Sequence, residues 1–377
     1  MIPVSEPLLG RKEAEYVAEC IRTGWISSAG RFVDEFERAW ADYCGMKHGV
    51  AVSSGTAALQ VAVGCLDLEP GDEVIMPTFT IISCAMAVVE MGGVPVLVDS
   101  DERTWCMDVG QVEDKITPRT RAIMVVHMYG HPVDMDPMLD LADKHGLAII
   151  EDAAQVHGAE YTGRKCGGLG EISTFSFYSN KIITTGEGGM LLTNDDIHAE
   201  KARCLRNLCF IQERRFFHKR LGYNFRLTNM QAAVGLAQVQ RVEELVARKR
   251  SIGAAYTERL CDIKVLQLPV EEPWAKNVYW MYGLVLDEST GLDAVAFAER
   301  LAERGVMTRP FFLGMHEQPV FHDMGLFKGE VYPIAERLAR QGLYLPSGLP
   351  LTEEQIDTVC QAVRDSLAAW RVARPGR

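Results

Sequence analysis

No apolar run in the chain approaches the ~20 residues needed to cross a bilayer. The opening stretch MIPVSEPLLGRKEAEYVAEC lacks the charged, apolar and small-residue succession of a secretory signal. Close cysteine pairs are missing too. The ten cysteines are scattered from Cys20 to Cys360, and the nearest two, Cys204 and Cys209, have neither CxxC spacing nor flanking ligands. These absences predict reduced thiols, no metal, a cytoplasmic location and no membrane partner. There is no surplus of basic charge. A net charge of -12 argues against nucleic acid as the main partner. Internal repeats and low-complexity stretches are absent, and so is GxxxxGK[ST], which removes the P-loop reading of the glycines at 186–189.

What is present reads as a packed globular chain, with 47% hydrophobic and 24% charged residues. Its 377 residues exceed one ordinary core, since chains divide beyond roughly 250–300 residues. The first two thirds alternate strand and helix. HGVAVS precedes the helix TAALQVAVGCL, EVIMP precedes IISCAMAVVEMG, and VPVLVD, RAIMVVH and LAIIED follow, with DMDPMLDLADKHG as a helix among them. Unbroken apolar strands joined by amphipathic helices predict a mostly parallel sheet covered on both faces. Near Phe175 the strands STFSFY and GGMLLTN leave little room for a helix, which predicts a mixed edge. One long helical pattern from about Asn229 to Leu260 links this part to a smaller α+β unit. The expected division is a large α/β domain over 1–245 and a C-terminal domain over 246–377.

Three features lie at the ends of predicted strands, where open α/β sheets hold ligands. In SSGTAAL, residues Ser54, Gly55 and Thr56 start a helix whose free N–H groups would hold a phosphate, although Ser-Gly-Thr also makes an ordinary N-cap. In IIEDAAQVHG, Asp152 follows a buried strand and needs a cationic or N–H partner, either a protonated pyridine or an arginine; a plain helix cap is the other reading. Gln155 is one turn on and would face the same cavity. Lys181 sits among Phe177, Tyr178, Ile182 and Ile183. A desolvated lysine loses its charge readily and becomes a carbonyl nucleophile that forms a Schiff base. Ser176 would give the phosphate a further hydroxyl. Phosphate cradle, carboxylate and buried lysine are together what pyridoxal phosphate (PLP) requires.

The ordered stretches SSGTAAL, PTFT, EDAAQVHGA, TFSFYSNKIITTGEGG and GYNFRLTNMQAAVGLAQ resemble the DegT/DnrJ/EryC1/StrS sugar-nucleotide aminotransferases of fold type I, from about Ile2 to the end of the chain. TGWISSAG, ITPRTRAIMVVHMYG, NKIITTGEGGM and YNFRLTN are most similar to members that aminate GDP-4-keto-6-deoxymannose with L-glutamate for surface polysaccharide. The resemblance implies a seven-stranded-type sheet with a smaller α+β domain. It implies PLP held by Lys181, with Asp152 at the pyridine nitrogen and Gln155 near the ring hydroxyl. Gly55, Thr56 and Ser176 would hold the phosphate, and Asn224 would reach the phosphate in the neighbouring subunit of a homodimer with shared sites. Family members commonly place an aromatic side chain over the ring where this chain has Ile81; Ile81 is the expected cover, with Phe79 as the other choice.

Trp25, Ser27, Arg215, Lys219, Arg309 and His316 are the candidate substrate-binding residues. Arg215 and Lys219 belong to the basic run ERRFFHKR, which would clamp a nucleotide diphosphate or simply face solvent. His127 and His131 have HxxxH spacing, but Tyr-Gly between them and Pro132 after them forbid the helix of a zinc site. A TDP- or UDP-linked 3- or 4-keto sugar is the alternative substrate, and a non-catalytic protein on the same fold the alternative class.

Overall fold

The computed structural model describes residues 1–211, 214 and 216–373. Its central sheet contains β1 (His48–Val52), β2 (Glu73–Pro77), β3 (Val94–Val98), β4 (Thr120–Val126), β5 (Ala148–Asp152), β6 (Ile172–Ser176) and β7 (Gly189–Thr193). The spatial order is β1-β7-β6-β5-β4-β2-β3. Parallel pairing joins β3, β2, β4, β5 and β6, while β7 is antiparallel to both β6 and β1. Six strands therefore point the same way, and their carboxyl ends share one edge.

The strands are buried on both faces because helices cover both; β2, for example, is buried at every residue. Crossover helices such as Gly55–Cys65, Ser83–Glu90 and Met135–His145 make the parallel connections. The link from β6 to β7 contains no helix, so these two can only be antiparallel neighbours. The sequence placed this mixed pairing at the edge of the sheet. In the structure β7 is inserted one place inward, and β1 takes the edge beyond it. The insertion is close-fitting. A Cβ on Gly189 would lie 2.2 Å from the carbonyl oxygen of Ser54, so β7 begins on a glycine where it passes the β1 turn.

Two N-terminal helices, Arg11–Thr23 and Arg31–Cys44, were not expected. The second buries Phe32, Phe36 and Trp40, and both pack on the helix Asn229–Val239. The single long pattern expected over 229–260 is two helices, Asn229–Val239 and Val242–Leu260. The halves meet different surroundings. Asn229–Val239 is apolar and buried nearly all round, whereas Val242–Leu260 has one buried stripe and a charged face. Asn229 ties the first half down: its Oδ1 accepts from the Phe32 N–H at 3.0 Å and its Nδ2 donates to the Trp25 carbonyl at 2.7 Å.

A second hydrophobic cluster collects Ile252, Tyr256, Leu284, Phe297, Leu343 and Ile356. It lies on an antiparallel sheet of β8 (Leu266–Gln267), β9 (Tyr282–Leu286), β10 (Arg309–Pro310) and β11 (Gly342–Leu345), in the order β8-β9-β11-β10. The chain's first residues join this sheet's surroundings. Ile2 pairs with Gly305 and Met307, and the Val4 carbonyl accepts from Ser347. Phe311, Met315 and Leu338 belong instead to the larger cluster of the central sheet. Among the described residues, no helix is long and apolar enough to cross a membrane.

Candidate active site

At the carboxyl ends of β1, β5 and β6 lies a cavity of about 330 Å³. Ser54, Gly55, Thr56, Asp152, Gln155, Ser176, Lys181 and Ile81 all line it. The helix Gly55–Cys65 opens into it. Ser54 is the N-cap and accepts from the Ala57 N–H at 3.1 Å. That leaves the first-turn N–H groups of Gly55 and Thr56 without an intrahelical acceptor, at the positive end of the helix dipole. The Thr56 hydroxyl meets the Ser83 hydroxyl at 2.8 Å. A Cβ on Gly55 would come within 2.6 Å of the Ser176 Cβ, so only glycine lets the helix start this close to β6. Two hydroxyls and two free N–H groups face the same space, an arrangement suited to a phosphate.

Asp152 ends β5 and is buried. Its Oδ1 accepts from the Ala154 N–H at 3.0 Å and its Oδ2 from the Cys84 thiol at 3.2 Å. Burial raises its pKa above the usual carboxylate range, against the opposing pull of these donors and of Lys181. No cation makes a direct contact with it among the described residues. A ligand carrying a protonated nitrogen would supply that partner. Gln155 is fixed beside it, its Oε1 accepting from the Tyr129 N–H at 2.8 Å.

Lys181 follows β6 in a turn where its N–H bonds the Tyr178 carbonyl at 2.9 Å. Its side chain is half-buried because it lines the cavity, and its ammonium nitrogen lies 3.6 Å from the centroid of the Trp280 ring. Surrounding protein desolvates the amine and pushes its pKa down to about 7, with Asp152 pulling the other way. At neutral pH a large share of this lysine is therefore a free amine. A folded pKa below the unfolded ~10.4 means that folding expels a proton, so this contribution makes the protein more stable as pH rises from about 7 to 10. In urea unfolding without cofactor, the stability gap between Lys181→Met and the parent chain should narrow by about 2 kcal/mol between pH 7 and pH 9. A gap independent of pH would place the amine in water.

Ile81 lines the cavity, whereas Phe79 is buried among Tyr129, Phe311 and Phe312. The other candidates lie elsewhere in the chain. Asn224 is exposed and its backbone pairs with Asn207. Trp25, Ser27 and Lys219 are exposed outside the cavity lining, and Arg215 lies outside the described residues. Arg309, on β10, is exposed next to Tyr344, which does line the cavity. His316 is buried away from it, with Nδ1 2.8 Å from the Thr78 hydroxyl and Nε2 3.3 Å from Glu336. Residues not singled out beforehand also line the wall, among them Asn180, Glu187, Trp280, Phe312 and Tyr344. Trp280 donates from Nε1 to the Asn180 carbonyl at 2.8 Å, which steadies the lysine turn from a segment 100 residues on. Its only signal in the sequence is the aromatic cluster in NVYWMYG.

One group of metal-ligand type occurs among the described residues: His127, Glu151 and Cys166. Glu151 already accepts from His127, the Gly167, Leu169 and Gly170 N–H groups and the Ser173 hydroxyl. The other nitrogen of His127 faces the Val133 N–H at 2.9 Å. The group is a hydrogen-bonded support behind β5. His131 is likewise engaged, by the Pro132 carbonyl and the Glu272 N–H.

Comparison with known proteins follows the same outline. Residues 7–364 match the model of the DegT/DnrJ/EryC1/StrS aminotransferase family. The chain is 46% identical to the GDP-perosamine synthase of Caulobacter vibrioides, over 96% of this chain and 97% of that one. It is 39% identical to the GDP-perosamine synthase of Escherichia coli O157:H7, over 97% and 98% of the two chains. Among solved structures, the aminotransferase TlmJ of Streptoalloteichus hindustanus superposes with a TM-score of 0.91 at 32% identity, covering 98% of this chain and 99% of that one.

Proposed function

The chain belongs to the DegT/DnrJ/EryC1/StrS aminotransferase family, and from that premise we propose that it uses PLP to move an amino group from L-glutamate to GDP-4-keto-6-deoxymannose, giving GDP-perosamine and 2-oxoglutarate. One arrangement carries the amino transfer: a lysine amine whose pKa desolvation lowers to about 7 shares one cavity with an open helix N-terminus and a buried carboxylate that no cation contacts among the described residues. That donor set fits PLP. When bound, PLP supplies an aldehyde that exchanges amines and a protonated ring that draws electrons from the reacting carbon.

The protein's part is to hold, orient and move protons. Gly55 and Thr56 N–H groups, with the hydroxyls of Thr56 and Ser176, hold the phosphate. Asp152 keeps the proton on the ring nitrogen, Gln155 fixes the ring's orientation, and Ile81 supplies an apolar wall. Lys181 would hold the cofactor through its Nζ, and the same atom, when free, would carry a proton to and from the reacting carbon. Arg309 beside Tyr344 is suited to a substrate anion. Asn224 and Lys219, outside the cavity of their own chain, act in this reading from a second copy.

The substrate is tested by supplying GDP-, TDP- and UDP-linked 3- and 4-keto sugars with glutamate and following 2-oxoglutarate and the amino sugar by mass spectrometry. Turnover with the GDP-linked 4-keto sugar far above the rest is the expected outcome; a TDP- or UDP-linked sugar turned over best would overturn the assignment. The shared site has its own test. Once Asn224→Ala alone is shown to be strongly impaired, refolding it together with Lys181→Ala chains should give mixed dimers with one intact pocket and about half the parental activity, as symmetry requires. Proven heterodimers without activity would mean that each site is built within one chain.

A further inference from the structure

The contact between Cys84 and Asp152 stands apart from the remainder of the site. Cys84 lies in the first turn of the helix Ser83–Glu90, is fully buried, and points its Sγ at Asp152 Oδ2 from 3.2 Å. The Thr80 hydroxyl meets the same sulfur at 3.5 Å, closing a short chain of polar groups behind the carboxylate. The thiol has no route to solvent.

We propose that Cys84 is a positioning residue that sets the basicity of Asp152: as a weak donor it holds Oδ2 in place while leaving the carboxylate most of its affinity for a proton. The inference rests on the reading of Asp152 as the partner of the ring nitrogen. An S–H group is a poor donor, whereas a hydroxyl at the same place makes a shorter, charge-assisted bond that draws on the carboxylate. A buried carboxylate with one N–H donor and one weak thiol donor stays basic. Burial and the neighbouring carboxylate also raise the Cys84 thiol well above its ordinary range, so it remains a donor throughout the working pH range. The other groups acting on Asp152 are Lys181 and His127, from the lysine turn and the end of β4, and neither makes a direct side-chain contact with it.

Serine is the informative replacement, because it keeps a donor of similar size and strengthens it. In the protein without cofactor, the carboxyl carbon of Asp152 can be followed by ¹³C NMR titration, with its signal assigned by its loss in Asp152→Asn. Cys84→Ser should lower the Asp152 midpoint by roughly one pH unit, a tenfold loss of proton affinity, while Cys84→Ala should raise it. In the PLP-loaded protein, ¹⁵N NMR of ring-labelled cofactor should show the ring nitrogen losing its proton at lower pH in Cys84→Ser than in the parent. Thermal unfolding of the three chains shows whether each is folded, and Cys84→Ala separates the loss of a donor from the change of donor. An Asp152 midpoint that is the same in Cys84→Ser and the parent would overturn the inference, leaving Cys84 as packing. A ring nitrogen unprotonated in the parent itself would instead overturn the assignment of Asp152, whatever the cofactor-free titration gives.

Discussion

Replacing Lys181 by alanine should leave a folded protein that has lost amino transfer by roughly 10⁴-fold or more, the scale on which enzymes lose rate when the nucleophile goes. The expectation rests on position more than on type. The chain has many lysines at its surface, but this one lies in the cavity, 3.6 Å from an indole ring, with its pKa lowered to about 7 by desolvation. Under the proposed function, alanine removes both the group that would anchor the cofactor and the group that would move the proton. The absorbance of the PLP-loaded protein should change as well, since the proposed link through Nζ would be lost while the proposed phosphate contacts at Gly55 and Thr56 would remain. Circular dichroism controls for folding. An unchanged visible band together with retained turnover would sink this role for Lys181.

Asp152→Asn should be nearly as damaging for a different reason. Asparagine keeps the shape and can still accept the Ala154 N–H, but it carries no charge to hold a proton on a ring nitrogen. Cofactor binding should persist through the phosphate contacts, while turnover falls by roughly a thousandfold, the equivalent of about 4 kcal/mol of transition-state stabilisation. The raised pKa of the free carboxylate has the same origin as this effect: a buried charge with no cation in contact is costly, and a bound pyridinium relieves it. Near-normal turnover in Asp152→Asn would mean that the residue only caps the turn after β5.

The parts of this site that could be read from the sequence are those carried by short stretches at strand ends. Gly55 and Thr56 follow β1, Asp152 ends β5, and Lys181 follows β6; each has a local signature, and the parallel sheet aligns the three ends. Trp280, Phe312 and Tyr344 could not be read in this way. They reach the cavity from the C-terminal part of the chain, through tertiary packing that no local spacing encodes. The thiol of Cys84 against Asp152 is of the same kind, a contact between residues 68 apart. Strand order was hidden as well. STFSFY and GGMLLTN read as adjacent strands, but nothing in either says that HGVAV will pair on the far side of the second. No glycine or proline marks the break after Val239, so periodicity alone does not show it. It follows from a change in what the helix faces.

The insertion of β7 between β6 and β1 has a consequence on the ribosome. β1 emerges early, yet its one partner in the sheet is β7, so Val52 must wait for Gly189. At ~5–20 residues per second that wait lasts on the order of ten seconds. For that time HGVAV is an unpaired, uncharged apolar strand, the kind of segment that recruits neighbouring chains. The helices Arg11–Thr23 and Arg31–Cys44 emerge before it, and Arg31–Cys44 packs directly on β1, covering the strand on one face while the growing chain supplies the other.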